Sequence, residues 1–205
     1  MKKIVFTVLA LYFTLVSAVI AVEFSADEVT VMAGEIKGKI YYRNTTTHRN
    51  ETMGMIMILK YPSMYQIFTD TKKYIVLNME EALNKSKNPM AGLSFEEIIK
   101  KNNMKKIGTE TIQDFDCVIY EGEFTFSEKM PPMHMKIWYS ENLEYGLKMD
   151  MTLPAPMGTM SSHLENIKIE KQADALFEIP SGYTKVDSIQ EAMGMGGSKN
   201  FLPKR

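Results

Sequence analysis

The sequence predicts a mainly β chain of α+β type, built as one large antiparallel sheet with helices on one face. Three observations predict it. Apolar and polar residues alternate with a period of two over many short runs separated by hairpin turns. Two helical segments sit together in the middle of the chain instead of alternating with strands. The apolar faces are rich in methionine, with 18 in 205 residues.

The first 21 residues stand apart from the fold. Lys2 and Lys3 precede the apolar run IVFTVLALYFTLVSAVIA, which ends on small residues, the order of a secretory signal peptide. Cleavage is expected after Ala21, with Ala18 the second choice. An uncleaved anchor helix is the rival reading, because the run nearly reaches bilayer length. No cysteine lies near either site, so no lipoprotein anchor is expected. The organisation expected is a signal peptide over 1–21, one domain over 22–186, and a short helix with a flexible basic tail over 187–205.

The segments FSADEVTVMAG and EIKGKIYYRN form a first hairpin about Gly34, with Ile36, Ile40 and Tyr42 facing away from Glu35, Lys37, Lys39 and Arg43. Thr45 to Thr52 is polar and is assigned no strand. Met53, Met55, Met57 and Leu59 then alternate with Gly54, Ile56, Ile58 and Lys60, a strand apolar on both faces that is expected to be covered on both. MYQIFTD and KYIVLNM make another hairpin around Asp70 to Lys72.

At Glu80 the character changes. MEEALNKSK and SFEEIIKKN read as helices, the second opening with Ser94 as N-cap and Glu97 completing a capping box. Its narrow stripe of Phe95, Ile98 and Ile99 should lie against the sheet.

Met104 to Phe115 returns to strand, and three strands follow that share one surface. Val118, Tyr120, Phe124 and Phe126 alternate with Cys117, Glu121, Glu123 and Thr125. Met133, Met135, Ile137 and Tyr139 alternate with His134, Lys136 and Ser140, with Trp138 alone breaking the pattern. Leu147, Met149, Met151 and Leu153 alternate with Lys148, Asp150 and Thr152. Met160 to Lys171 is a long strand, Leu176, Phe177 and Ile179 are available to plug one end of the sheet, and Ser188 to Met193 is a short helix.

Composition narrows the function. With 24 basic and 25 acidic side chains, the chain has no surplus of positive charge to track a phosphate backbone, so no nucleic-acid partner is expected. Cys117 is the single cysteine, which rules out an internal disulfide and leaves a small buried hydrophobe as its expected role. His48, His134 and His163 are scattered, no nucleophile sits in an elbow motif, and no glycine-rich loop follows a strand. No catalysis and no cofactor are expected.

Methionine fills irregular apolar space, and a core meant only to be rigid is better built from Leu, Ile and Val. Faces of flexible thioethers suit ligands of variable shape, such as an acyl chain. Burying about six methylenes at ~0.8 kcal/mol each supplies ~5 kcal/mol before ordering costs. The cavity lining expected is Met55, Met57, Met133, Met135, Ile137, Met149 and Met151. Replacing both Met135 and Met149 by Asp is expected to abolish acyl binding and leave the sheet assembled. The alternative is a Cu(I) site of Met130, Met133, His134 and Met135, since thioethers suit that ion. A regular strand opposes it, because Met133 and Met135 would point away from His134.

KKIGTETIQDFDCVIYEGEF, IWYSENLEYGLKMDM and the ending LFEIPSGY from Leu176 to Tyr183, together with the opening FSADEVTVMAGEIKGKIYYRN, resemble the periplasmic lipoprotein-carrier superfamily (LolA/LolB-like), closest to an uncharacterised exported branch of it. The resemblance implies a strongly curved half-barrel with helices closing its concave side over a cavity for lipid or the acyl chains of a lipoprotein. It also implies a periplasmic location. Carriers of this kind hold their helical lid with an arginine, for which Arg43 and Arg49 are the candidates before the tail. A third role consistent with such a fold is sensing envelope state through a protein partner.

Overall fold

A computed structural model describes residues 22–86, 94–125, 131–156 and 158–195. The expected signal peptide, Phe126, Met130 and the end of the tail lie outside the described residues. The strands are β1 (Phe24–Val31), β2 (Glu35–Asn44), β3 (Thr47–Thr52), β4 (Met55–Lys60), β5 (Ser63–Phe68), β6 (Lys73–Asn78), β7 (Lys105–Ile112), β8 (Phe115–Phe124), β9 (Met133–Ser140), β10 (Tyr145–Thr152), β11 (Thr159–Ile169) and β12 (Thr184–Lys185). Helices α1 (Met79–Ser86) and α2 (Phe95–Lys101) separate β6 from β7, and α3 (Ile189–Ala192) follows β12.

All twelve strands join one sheet, in the order β12-β6-β5-β4-β3-β2-β1-β11-β10-β9-β8-β7, and it does not close into a barrel. Every pairing is antiparallel except that of β12 with β6. Since β6 lies near one edge and β7 forms the other, the chain between them must cross the width of the sheet. That crossing is what carries the two middle helices.

The register assigns side chains to faces, because directly opposed residues of neighbouring strands share a side. On the inner face, Met151 opposes Met135 and Met160, Met149 opposes Ile137 and Ser162, and Phe124 opposes Met133. The same face continues through Thr30 and Ile36, then through Ile40, Asn50 and Met57, and through Thr52, Met55 and Phe68. The outer face of β2 to β6 carries Tyr41, Arg49, Ile56, Ile58, Tyr65 and Ile67.

Of the two faces of β4, the outer one is covered, whereas Met55, Met57 and Leu59 on the inner face are only half-buried, short of the cover expected there. Ile56, Ile58 and Ile67 pack on Leu176, Phe177 and Ile179. This C-terminal segment therefore covers the outer face and does not plug an end of the sheet. On the inner side, Met104, Phe124, Met133, Met135 and Met151 form a cluster capped by Ile98 and Ile99 of α2, and α3 packs its Ala192 against Ile75, with Phe68 and Leu77 beside them.

Two expectations are revised by the sheet. The polar stretch before Met53 contains β3, a central strand hydrogen-bonded to β2 and β4. Its Arg49 is buried on the outer face, where it donates to Glu51 Oε1 at 2.6 Å and to Leu176 O at 2.8 Å. Among the described residues, neither candidate arginine holds a helical lid. Arg43 donates to Gln172 O at 2.8 Å and Asp174 Oδ1 at 2.9 Å and lies 4.5 Å above the Phe177 ring, so both arginines fasten the C-terminal segment.

Trp138 breaks the alternation of β9 because its outer-face neighbours bury it. Its ring lies under Lys136 and Lys148, and its N–H donates to Glu110 Oε2 at 2.6 Å. Cys117 lies on that outer face, and burial pushes its thiol pKa up to about 11. A neutral thiol is a poor nucleophile. Folded protein is expected to leave a disulfide reagent such as Ellman's unreacted at pH 8 and to release one equivalent on denaturation; rapid labelling of the native state would contradict the assignment.

Candidate functional site

Curvature makes the site. Thr45 and Thr46 of the β2–β3 turn, Tyr61 of the β4–β5 turn, Tyr139 of β9 and Glu141 and Glu144 of the β9–β10 turn line a single hollow of about 740 Å³. In a flat sheet, the six strand spacings between β4 and β9 would hold Tyr61 and Tyr139 roughly 29 Å apart. The inner face is therefore concave, and this hollow is its mouth. Its size falls within the usual range of small-molecule sites.

Helix α2 forms the remaining wall through Ser94, Phe95 and Glu96. Phe95 stacks on Tyr139, with centroids 3.8 Å apart and planes at 10°, and meets Tyr120 edge-on at 5.8 Å. The helix starts at the expected capping box. Ser94 Oγ accepts from Glu97 N at 3.3 Å, and Glu97 Oε2 accepts from Ser94 N at 2.7 Å. The Ser94 amide first, and its side chain second, hold the Glu97 carboxyl below its ordinary pKa, so the box is complete at neutral pH and is lost as pH falls through that lowered value.

None of the residues of α2 is fully buried. The cover rests on one cap, one aromatic stack and a narrow apolar stripe. Ser94→Ala is expected to cost about 1 kcal/mol. It should appear as faster hydrogen exchange at Asn102 and Met104, whose amides donate to Ile98 O and Ile99 O, with strand amides unaffected. Unchanged exchange at those two amides would show that the cap does not hold α2.

All seven residues expected to line the cavity fall on the inner face, but they do not meet in one space. Met133, Met135 and Met151 are packed under α2, at 3%, 5% and 4% exposure. Ile137 and Met149 line a smaller hollow of about 230 Å³ with Glu28, Tyr145, Ser162 and Leu164. Burial holds the Glu28 carboxyl above its ordinary pKa. Met55 lines a third hollow at the far end of the sheet, and Met57 stands half-buried between.

The alternative metal set is not brought together. His134 points to the outer face, where Nε2 lies 3.1 Å from Glu121 Oε1 and Nδ1 lies 3.4 Å from Glu123 Oε1. Those carboxylates, Glu121 first, raise its pKa. Met133 and Met135 are on the other side of the strand, and Met130 lies outside the described residues.

Sequence reasoning missed the mouth. Phe95 and Tyr139 were readable only as members of two separate apolar stripes. Thr45, Thr46, Tyr61, Glu141 and Glu144 sit in turns, where no periodic pattern marks them.

No family model and no curated protein matches the sequence. Solved structures do. The chain is similar to an uncharacterised conserved protein from Thermus thermophilus, with a TM-score of 0.56 at 11% identity over 82% of this chain and 91% of that one. The half-barrel expected from the sequence is the fold of this chain.

Two similarities with lower scores are to the lipoprotein LppX of Mycobacterium tuberculosis and to a LolA superfamily protein of Nitrosomonas europaea. The first has a TM-score of 0.45 at 10% identity, over 73% of this chain and 89% of that one. The second has a TM-score of 0.38 at 11% identity, over 77% and 90%.

Proposed function

We propose that the protein is a periplasmic binding or carrier protein that takes a lipid, or the acyl chain of a lipoprotein, between α2 and the concave face. One observation carries the reading: the apolar inner face opens at a mouth of about 740 Å³ whose movable wall is a seven-residue helix with no buried residue. An acyl chain enters past Phe95 and Tyr139 and reaches Ile137 and Met149, displacing α2 from part of the methionine cluster. Flexible thioethers re-pack around it at little cost in strain. The chemistry is binding, not catalysis, and it uses no cofactor.

The test is a fluorescent fatty-acyl probe titrated into the purified protein and into two single variants. Phe95→Asp places a charge at the mouth, and Met149→Asp places one on the half-buried floor. Each is expected to weaken probe binding at least tenfold while leaving the far-ultraviolet circular dichroism unchanged. Absence of saturable binding to the wild type, or equal affinity in both variants, would remove the carrier reading. Native mass spectrometry of protein purified from the periplasm then identifies the co-purifying lipid.

A further inference from the structure

The inner face carries another hollow, far from the mouth. It lies where the β3–β4 and β5–β6 turns approach the end of α3, has a volume of about 360 Å³, and is lined by Met53, Met55, Phe68, Asp70, Thr71 and Met193. Among the described residues, two of its methionines have no packing explanation. Met53 is 79% exposed and stands at φ 47° ahead of Gly54 at φ 75°. Left-handed backbone in a two-residue hairpin turn favours Asn, Asp or Gly at that position. A large apolar side chain there loses in conformation and in hydration together.

Met193 is 47% exposed at the C-terminus of α3. Its position is set, because Thr71 Oγ1 donates to Ala192 O, Lys73 Nζ donates to Glu191 O and Met193 N donates to Ile189 O. Two stretches of chain thus bring three thioethers to one solvent-open hollow, and a third places a carboxylate beside them.

We propose that Met53, Met55 and Met193 form a Cu(I) site. Thioether sulfur is a soft, neutral donor that selects Cu(I) over hard cations, which would find one carboxylate, Asp70, and the hydroxyls of Thr52 and Thr71 here. Three unbranched side chains can converge on an ion of this size, and the Asp70 carboxylate lies near its positive charge. The Met133 to Met135 segment carries none of this argument, and the site does not depend on the acyl-binding reading.

The test is titration of the purified full protein with Cu(I), kept reduced by ascorbate and competed with bicinchoninate. One equivalent per chain is expected, with X-ray absorption showing nearest neighbours that are sulfur. Met53→Leu should weaken binding at least tenfold, and Met53→Leu with Met193→Leu should abolish it. Leu conserves volume, so the melting temperature should stay close to that of the wild type. Failure of the wild type to hold Cu(I) against the chelator, or wild-type affinity in the double variant, would overturn the assignment. Acyl-probe binding by the double variant is expected to match the wild type, and its loss would overturn a metal site separate from the apolar cavity.

Discussion

Phe24→Ala is expected to destabilise the protein by about 3–5 kcal/mol, the range for truncating a fully buried aromatic residue. Phe24 has no exposed surface. Its ring stacks on Tyr42 at 5.0 Å and meets Tyr145 edge-on at 5.5 Å, while Tyr42 meets Tyr145 at 5.1 Å. It stands on β1, opposed by Tyr42 on one side and Ile169 on the other, at the seam where the N-terminal strands meet β11. Removing the ring leaves a void that two tyrosines fixed on other strands cannot collapse into. A loss of this size is a large share of the roughly 5–15 kcal/mol typical of a domain. Urea unfolding followed by circular dichroism is the measurement, with the midpoint expected to fall and the slope to hold. A shift below about 1 kcal/mol would show that the seam is not the core of the molecule.

Met135→Asp is expected to cost still more and to prevent stable folding at neutral pH. Met135 is surrounded by Met104, Phe124, Met133 and Met151, with Ile98 and Ile99 above. A carboxylate there has no cation among the described residues of the cluster, whose one side-chain donor is the Tyr120 hydroxyl at its partly buried margin. Burying an unpaired charge is far costlier than removing apolar volume, and the group would take up a proton to remain inside. Met135→Leu should change stability by less than about 1.5 kcal/mol. Thermal melts of the two variants decide the matter: equal melting temperatures would mean that Met135 faces an open cavity.

This outcome bears on the double substitution suggested by the sequence. Met135 and Met149 have the same parity, and alternation treats them alike. One is sealed beneath a helix and the other is half-buried beside Glu28. Only Met149→Asp tests ligand binding without first breaking the core.

Where the chain was legible, a local cause produced the structure. Alternation in β8, β9 and β10 reflects one covered face, and the Ser94 and Glu97 pair announces the start of α2. Where it was not legible, the cause was remote. β3 looked like a connection because its outer-face cation, Arg49, is satisfied by a carbonyl at Leu176, 127 residues away, and because His48 and Asn50 place polar atoms on the inner side. The arginines expected to hold a lid were claimed by the C-terminal segment for the same reason.

By itself, the sequence determined that the chain is a sheet of hairpins with two helices crossing one methionine-rich side, since the two-residue period and the capping box are properties of neighbouring residues. The depth of each methionine, the mouth between Tyr61 and Tyr139 and the gathering of Met53, Met55 and Met193 were decided only in three dimensions. Parity places a side chain on a face. The curvature of the sheet, accumulated over twelve strands, then decides which parts of that face are pressed together and which stay open.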